Sequence, residues 1–230
     1  MYADQTVVAI VPARGGSTRV PRKNIRLIAG KPLIAHTLDV IARVPEIDFC
    51  IVSTDDPEIA AIGRSRGAQI VDRPANLSTS EARVEPALLH ALDTVRAQHG
   101  RTFDVLALLE PTSPLRRPET VSRCIRRLID GGGESLLTAR RTRDNLGRME
   151  DGKFRPLFPN QPRRQQEREP LYIEAGVVYA CRIDKLRASG TVASDNWLVE
   201  PVSDEEAVDI NEEIDFLIAQ TLLSQREAKS

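Results

Sequence analysis

Residues 7–24 read VVAIVPARGGSTRVPRKN, and the order of these letters decides the fold. Residues 7–11 form an unbroken apolar run rich in β-branched side chains, as expected of a strand buried on both faces of a parallel sheet. The chain then turns polar. Gly15 and Gly16 let the backbone approach a ligand with no Cβ in the way, and Arg14, Arg19, Arg22 and Lys23 place four cations within ten residues. Strand, glycine turn and cations in that order describe an anion cradle at the carboxyl end of a sheet strand. The turn matches neither GxxxxGK[ST] nor GxGxxG, so it is neither of the two common phosphate loops. A solvated basic loop is the alternative reading of the same letters.

Working outward, apolar runs and helical periodicities alternate. Residues 32–41 predict a first crossover helix, with Pro32 in its first turn and Ile34, Leu38 and Ile41 on one face. A second buried strand is expected at 49–52. It ends in Ser53-Thr54-Asp55-Asp56-Pro57, where an Asp caps a helix carrying Ile59 and Ile62. A short strand at 69–71, a helix lined by Val84, Leu88, Leu89, Leu92 and Val95, and an apolar strand at 105–109 follow. After the rigid loop Glu110-Pro111-Thr112-Ser113-Pro114-Leu115-Arg116, Pro118 opens a helix with Val121, Ile125, Leu128 and Ile129 inward, and a strand is expected at 136–139. Such alternation implies an α/β fold: a mostly parallel sheet, helices on both faces, and strand-end loops gathered along one edge.

The pattern breaks at residues 140–170, where eight arginines are interspersed with Pro, Asn and Gln. A polar insertion this long reads as a lid, a partner-binding arm or a disordered loop rather than a domain. Strand is expected again at 176–181, a short helix at 183–188 and an edge strand at 197–199. A final helix should place Ile214, Leu217, Ile218 and Leu222 on one face. The whole of 1–230 is read as a single domain.

Composition narrows the function. The 32 Lys and Arg nearly balance 33 Asp and Glu, which argues against a nucleic-acid tail or a membrane-surface field. Three widely spaced cysteines suit reduced core positions of a cytoplasmic protein, no apolar stretch approaches a bilayer span, and three scattered histidines form no zinc pattern. The missing dinucleotide fingerprint argues against an NAD-dependent oxidoreductase.

Taken in order, PARGGSTRVPRKNI at 12–25, GKPLIAHT at 30–37, VSTDD at 52–56, RPA at 73–75, EPTSPLR at 110–116, RRQ at 163–165 and VDIN at 208–211 resemble the CMP-sialic acid synthetases. This acylneuraminate cytidylyltransferase family includes enzymes acting on related nonulosonic acids. The resemblance implies a Rossmann-like nucleotidyltransferase domain that transfers CMP from CTP to the anomeric hydroxyl of a nine-carbon keto sugar acid, with release of pyrophosphate. It further implies that Arg14 and Lys23 contact phosphate, that the amides of Gly15, Gly16 and Ser17 line the bend, and that Asn24 and Arg73 bind base, ribose or phosphate. Mg²⁺ is the implied cofactor, with Asp209 as main ligand. Asn211 stands where the family has a second Asp, as a further ligand or as the cap of the final helix.

For the sugar acid, the resemblance points to Glu110, Arg148, Arg164, Gln165 and Tyr179, of which Tyr179 also suits core packing. A guanidinium is the natural bidentate partner of a carboxylate. The implied partners are CTP and the sugar acid, and the implied assembly is a homodimer that uses the 140–170 arm. Several positions depart from the family pattern. Glu110 replaces a Gln, Thr18 stands where Lys is common, and Ile173 and Ala175 replace an Arg and an Asn. Two alternatives follow: the same transfer to an octulosonate, legionaminic- or pseudaminic-type sugar, or a relative that binds CTP without turnover.

Overall fold

The computed structural model describes residues 1–17 and 19–227; Thr18, one of the departures above, lies outside them. In chain order the elements are β1 (Val7–Pro12), a small ladder of β2 (Leu27–Ile28) and β3 (Lys31–Pro32), α1 (Leu33–Ile41), β4 (Phe49–Thr54) and α2 (Pro57–Ser65). Then come β5 (Gln69–Asp72), α3 (Val84–His99), β6 (Val105–Leu108), α4 (Pro118–Asp130) and β7 (Ser135–Thr142). The hairpin β8 (Gly147–Glu150) and β9 (Lys153–Pro156) precedes β10 (Leu171–Arg182), α5 (Ile183–Ser189), β11 (Trp197–Val202) and α6 (Glu213–Glu227).

Among the described residues the main sheet has seven strands in the order β11-β7-β10-β6-β1-β4-β5. Pairing is parallel throughout except at β10, which runs against both β6 and β7. β1 lies inside this sheet, and its residues divide between two cores by strand alternation. Val7, Ala9 and Val11 pack with α1 and α4 on one face, whereas Val8 and Ile10 pack with α3 and α5 on the other. Burial on both faces is why the run reads as continuously apolar.

Local chemistry accounts for the element ends. The Asp56 carboxylate accepts from the amides of Glu58 (2.8 Å) and Ile59 (3.1 Å), with Pro57 at the first helical position, so α2 starts where the sequence predicts. Gly100 closes α3 in the left-handed region at φ 64°. Pro32 stands just ahead of α1 rather than inside its first turn.

Two expectations need correction. The 140–170 segment carries strand at both ends: β7 continues to Thr142, and β10 begins at Leu171 rather than at 176. Thr142 pairs with Leu171 and Thr138 with Ala175, which makes a two-stranded extension of the sheet. Its letters read as polar loop because Arg141, Tyr172 and Glu174 are exposed there. The second correction is the face of α6. Phe216, Ala219 and Leu223 are buried, while Ile214, Leu217 and Ile218 are exposed; of the residues expected inward, Leu222 packs against the core, partly buried. The inward residues join Val20, Ile28, Leu33, Leu115 and Ile210 in a third apolar cluster.

Candidate nucleotide site

A cavity of about 210 Å³ opens at the carboxyl ends of β1 and β6. Arg14, Ser17, Lys23, Asn24, Arg73 and Glu110, all predicted from sequence, line it. This is where loops of a parallel sheet converge, because the connections that follow the parallel strands leave from the same edge. Thr79, Ser80, Arg83 and Thr112 line it as well and were missed: the first three sit in no distinctive residue pattern, and Thr112 lies inside the EPTSPLR stretch, of which only Glu110 was given a role.

The cation loop is held by its own polar groups and by the far end of the chain. The Asn24 amide donates to the Arg14 carbonyl at 3.0 Å, which fixes the bend from inside. Lys23 Nζ donates to the Ile210 carbonyl at 2.7 Å, and the Ile210 amide donates to the Thr112 carbonyl at 2.8 Å. Val20 and Ile210, both fully buried, share the third apolar cluster. Three segments distant in sequence therefore meet at one point: the loop after β1, the loop after β6, and residues 209–211.

Asp209 stands beside this junction. Its carboxylate accepts from the Asn211 amide at 2.6 Å, and the Asn211 side-chain oxygen accepts from Arg19 at 3.3 Å. Asn211 is therefore not the cap of α6. Asp215, the third residue of α6, reaches back instead, and its carboxylate accepts from the backbone amides of Asn211 and Glu212 at 2.8 Å each. Electrostatics agree with the crowding. Burial pulls the Lys23 ammonium below its ordinary value against the attraction of Asp209, and burial together with Asp209 pushes the Glu110 carboxyl up.

Arg73 is 9 % exposed and held by β4: Nε donates to Ser53 Oγ at 3.1 Å and Nη2 to the Ser53 carbonyl at 2.7 Å. Arg116, 2 % exposed, is a brace. Its guanidinium donates to the Val177 carbonyl (2.5 Å), Thr37 Oγ1 (2.9 Å) and the Glu110 carbonyl (2.8 Å), and burial lowers its pKa to about 10. The Glu110 loop, α1 and β10 are thereby tied together.

The remaining predicted residues lie elsewhere. The Gly15 amide donates to Asp55 Oδ1 at 2.9 Å, while a Cβ at Gly16 would meet open space. Tyr179 is half-buried, donates to Glu174 at 2.5 Å and packs against Trp197; burial and that hydrogen bond raise its pKa. Arg148 pairs across the hairpin with Arg155, Arg164 with Glu167, and Gln165 with Asp144. None of these three lines the cavity of its own chain.

Comparison with known proteins fits this geometry. The chain is 28% identical over 233 residues to a CMP-N,N'-diacetyllegionaminic acid synthase of Legionella pneumophila, covering 94% of this chain and 96% of that protein. It is 32% identical over 133 residues to a pseudaminic acid cytidylyltransferase of Campylobacter jejuni, 57% of each chain. Its fold matches a solved CMP:2-keto-3-deoxy-manno-octonic acid synthetase complexed with CTP, with a TM-score of 0.70 at 19% identity over 96% of this chain and 99% of that one. The family model described as Cytidylyltransferase matches residues 8–145, a span that begins in β1 and takes in the glycine turn, Arg73 and the Glu110 loop. The chain belongs to the cytidylyltransferase family.

Proposed function

We propose that this protein transfers CMP from CTP to the anomeric hydroxyl of a nonulosonic sugar acid of the sialic type. In this reaction the sugar oxygen bonds to the α-phosphorus, the bond from that phosphorus to the bridging oxygen breaks, and pyrophosphate leaves. One observation carries the reading: Lys23, which lines the cavity from the loop after β1, donates to the Ile210 carbonyl next to Asp209, so the far end of the chain brings a carboxylate beside the cavity's cations. Transfer at phosphorus depends mainly on positioning and on neutralising charge. Arg14, Lys23 and Arg73 serve the triphosphate and nucleoside, with Asn24 and the Ser17 amide completing the bend.

Mg²⁺ is the proposed cofactor. Among the described residues no three His, Cys, Asp or Glu side chains stand together as a metal group, so a closed protein cage is not available. Mg²⁺ commonly takes one or two carboxylates and completes its shell with waters and substrate phosphates, which suits Asp209, with Asn211 beside it. Bound there, the ion would neutralise phosphate charge.

Glu110 and Tyr179 are the own-chain candidates for the acceptor, because Glu110 borders the cavity and both lie against Gly176. Arg148, Arg164 and Gln165 would reach an acceptor only from a neighbouring copy, which favours a two-fold dimer joined through the arm. The exposed Met149, Phe154, Leu157 and Phe158 of the arm support that reading. The three thiols, two of them buried, support a cytoplasmic setting, and no described helix is long and apolar enough to cross a membrane.

The test is pyrophosphate release from CTP and Mg²⁺ with a panel of acceptors: N-acetylneuraminate, legionaminic- and pseudaminic-type acids, and an octulosonate. Release with a nine-carbon acid is expected. Preference for the octulosonate would move the assignment to that acceptor. CTP binding with no release from any acceptor would leave a nucleotide-binding protein without turnover.

A further inference from the structure

At the strand end 52–56, VSTDD, the contacts of Ser53, Thr54 and Asp56 each have an evident structural purpose. Ser53 holds the Arg73 guanidinium through its hydroxyl and its carbonyl, and the same carbonyl accepts from the Ala13 amide at 3.0 Å. The Thr54 carbonyl accepts from the Arg73 amide at 2.8 Å. Asp56 caps α2, and a Cβ on Gly15 would fall 2.7 Å from its Oδ2, which explains a glycine there. Asp55 is left over. It caps no helix and does not line the nucleotide cavity.

We infer that Asp55 is a positioning residue for the nucleotide, holding the glycine turn from behind so that Arg14 and Ser17, on either side of it, meet CTP in one fixed arrangement. Its Oδ1 accepts from the Gly15 amide at 2.9 Å, whereas the cavity is lined by the residues on either side of the turn, Arg14 and Ser17. The Gly15 amide therefore faces α2 and anchors the bend, while Arg14 and Ser17 face the ligand. Asp55 is also the carboxylate whose attraction opposes the loss of charge that burial imposes on Arg73.

This inference rests on the nucleotide reading of the cavity, and the experiment separates the two. CTP binding is measured by calorimetry for the wild type, Asp55→Asn and Asp55→Ala, together with Tm and the steady-state constants for CTP and the sugar acid. Asp55→Asn keeps an acceptor for the Gly15 amide but removes the charge; Asp55→Ala removes both. CTP affinity should fall roughly tenfold in Asp55→Ala and by about threefold in Asp55→Asn, in line with one charge-assisted hydrogen bond. The KM for the sugar acid and the Tm of the asparagine variant should stay at wild-type values. CTP binding that is unchanged or tighter in both variants would overturn the inference, as would a fall in kcat or Tm with CTP affinity intact. A wild-type protein that does not bind CTP would sink the nucleotide reading, and the role of Asp55 with it.

Discussion

The nucleotide edge and the arm are both rich in charge, yet they are built in opposite ways. Around the cavity, Arg73 and Arg116 are nearly inaccessible and make their hydrogen bonds to backbone carbonyls and hydroxyls of other segments. In the arm, Arg148, Arg155 and Arg164 are exposed, and the ion pair of Arg164 is made with a residue three positions away. Buried charge that is tied across the fold holds a geometry, because each lost bond leaves a desolvated partner behind. Exposed charge tied only to its neighbours holds little and is available to another molecule. The nucleotide edge is thus tied together across the fold, whereas the arm leaves Arg148, Arg155 and Arg164 open to solvent.

Substitutions on the two sides can break or sharpen this contrast. The largest effect is expected at Asp209. Asp209→Ala should lower kcat by on the order of a thousandfold with Tm little changed, since several kcal/mol of charge neutralisation would be lost. Rates near wild type would remove Asp209 from the site. Next comes Arg116→Met, which leaves the Val177 and Glu110 carbonyls without their donor; a loss of about 3 kcal/mol in denaturant unfolding is expected. An unchanged midpoint would show that the nucleotide edge is not braced as described.

The third effect is a gain. Because burial raises the Glu110 carboxyl, ionised Glu110 costs stability at pH above its folded-state value, and that cost disappears once both folded and unfolded chains are protonated. Glu110→Gln should therefore raise Tm at pH 7.5, and the difference should fade as pH falls below the ordinary value of 4.5. A gain that grew toward low pH would contradict this sign. The arm should respond least in stability. Arg164→Ala is expected to shift unfolding by less than about 0.5 kcal/mol, while raising KM for the sugar acid and leaving that for CTP alone. Sedimentation should show a dimer at micromolar concentration and a monomer for Met149→Ser with Phe154→Ser; a monomeric wild type would leave the arm without a partner.

How much was legible follows the same division. Strands β1, β4 and β6 stand out because burial on both faces writes an unbroken apolar run, and α2 because its cap is spelled out by Asp56-Pro57. The cations of the cavity were readable because glycine turn and basic residues are contiguous. The arm was not, since an uncovered ladder has no apolar alternation to betray it. The face of α6 misled for a related reason: Ile214, Leu217 and Ile218 satisfy helical spacing, but the residues that meet Val20 and Leu115 are Phe216, Ala219 and Leu223.

The amino-acid order by itself determined the alternation of strand and helix, the position of the anion turn and the residue types offered to a phosphate, all of which depend on neighbours in sequence. The folded chain decided which of those groups face one another. It bonded Lys23 to the backbone beside Asp209, turned the Gly15 amide toward Asp55, and gave the Asn211 side chain Asp209 and Arg19 as partners. These are contacts between segments or choices between nearby donors, and they are settled by which partners packing leaves within hydrogen-bond reach, a quantity that no local pattern encodes.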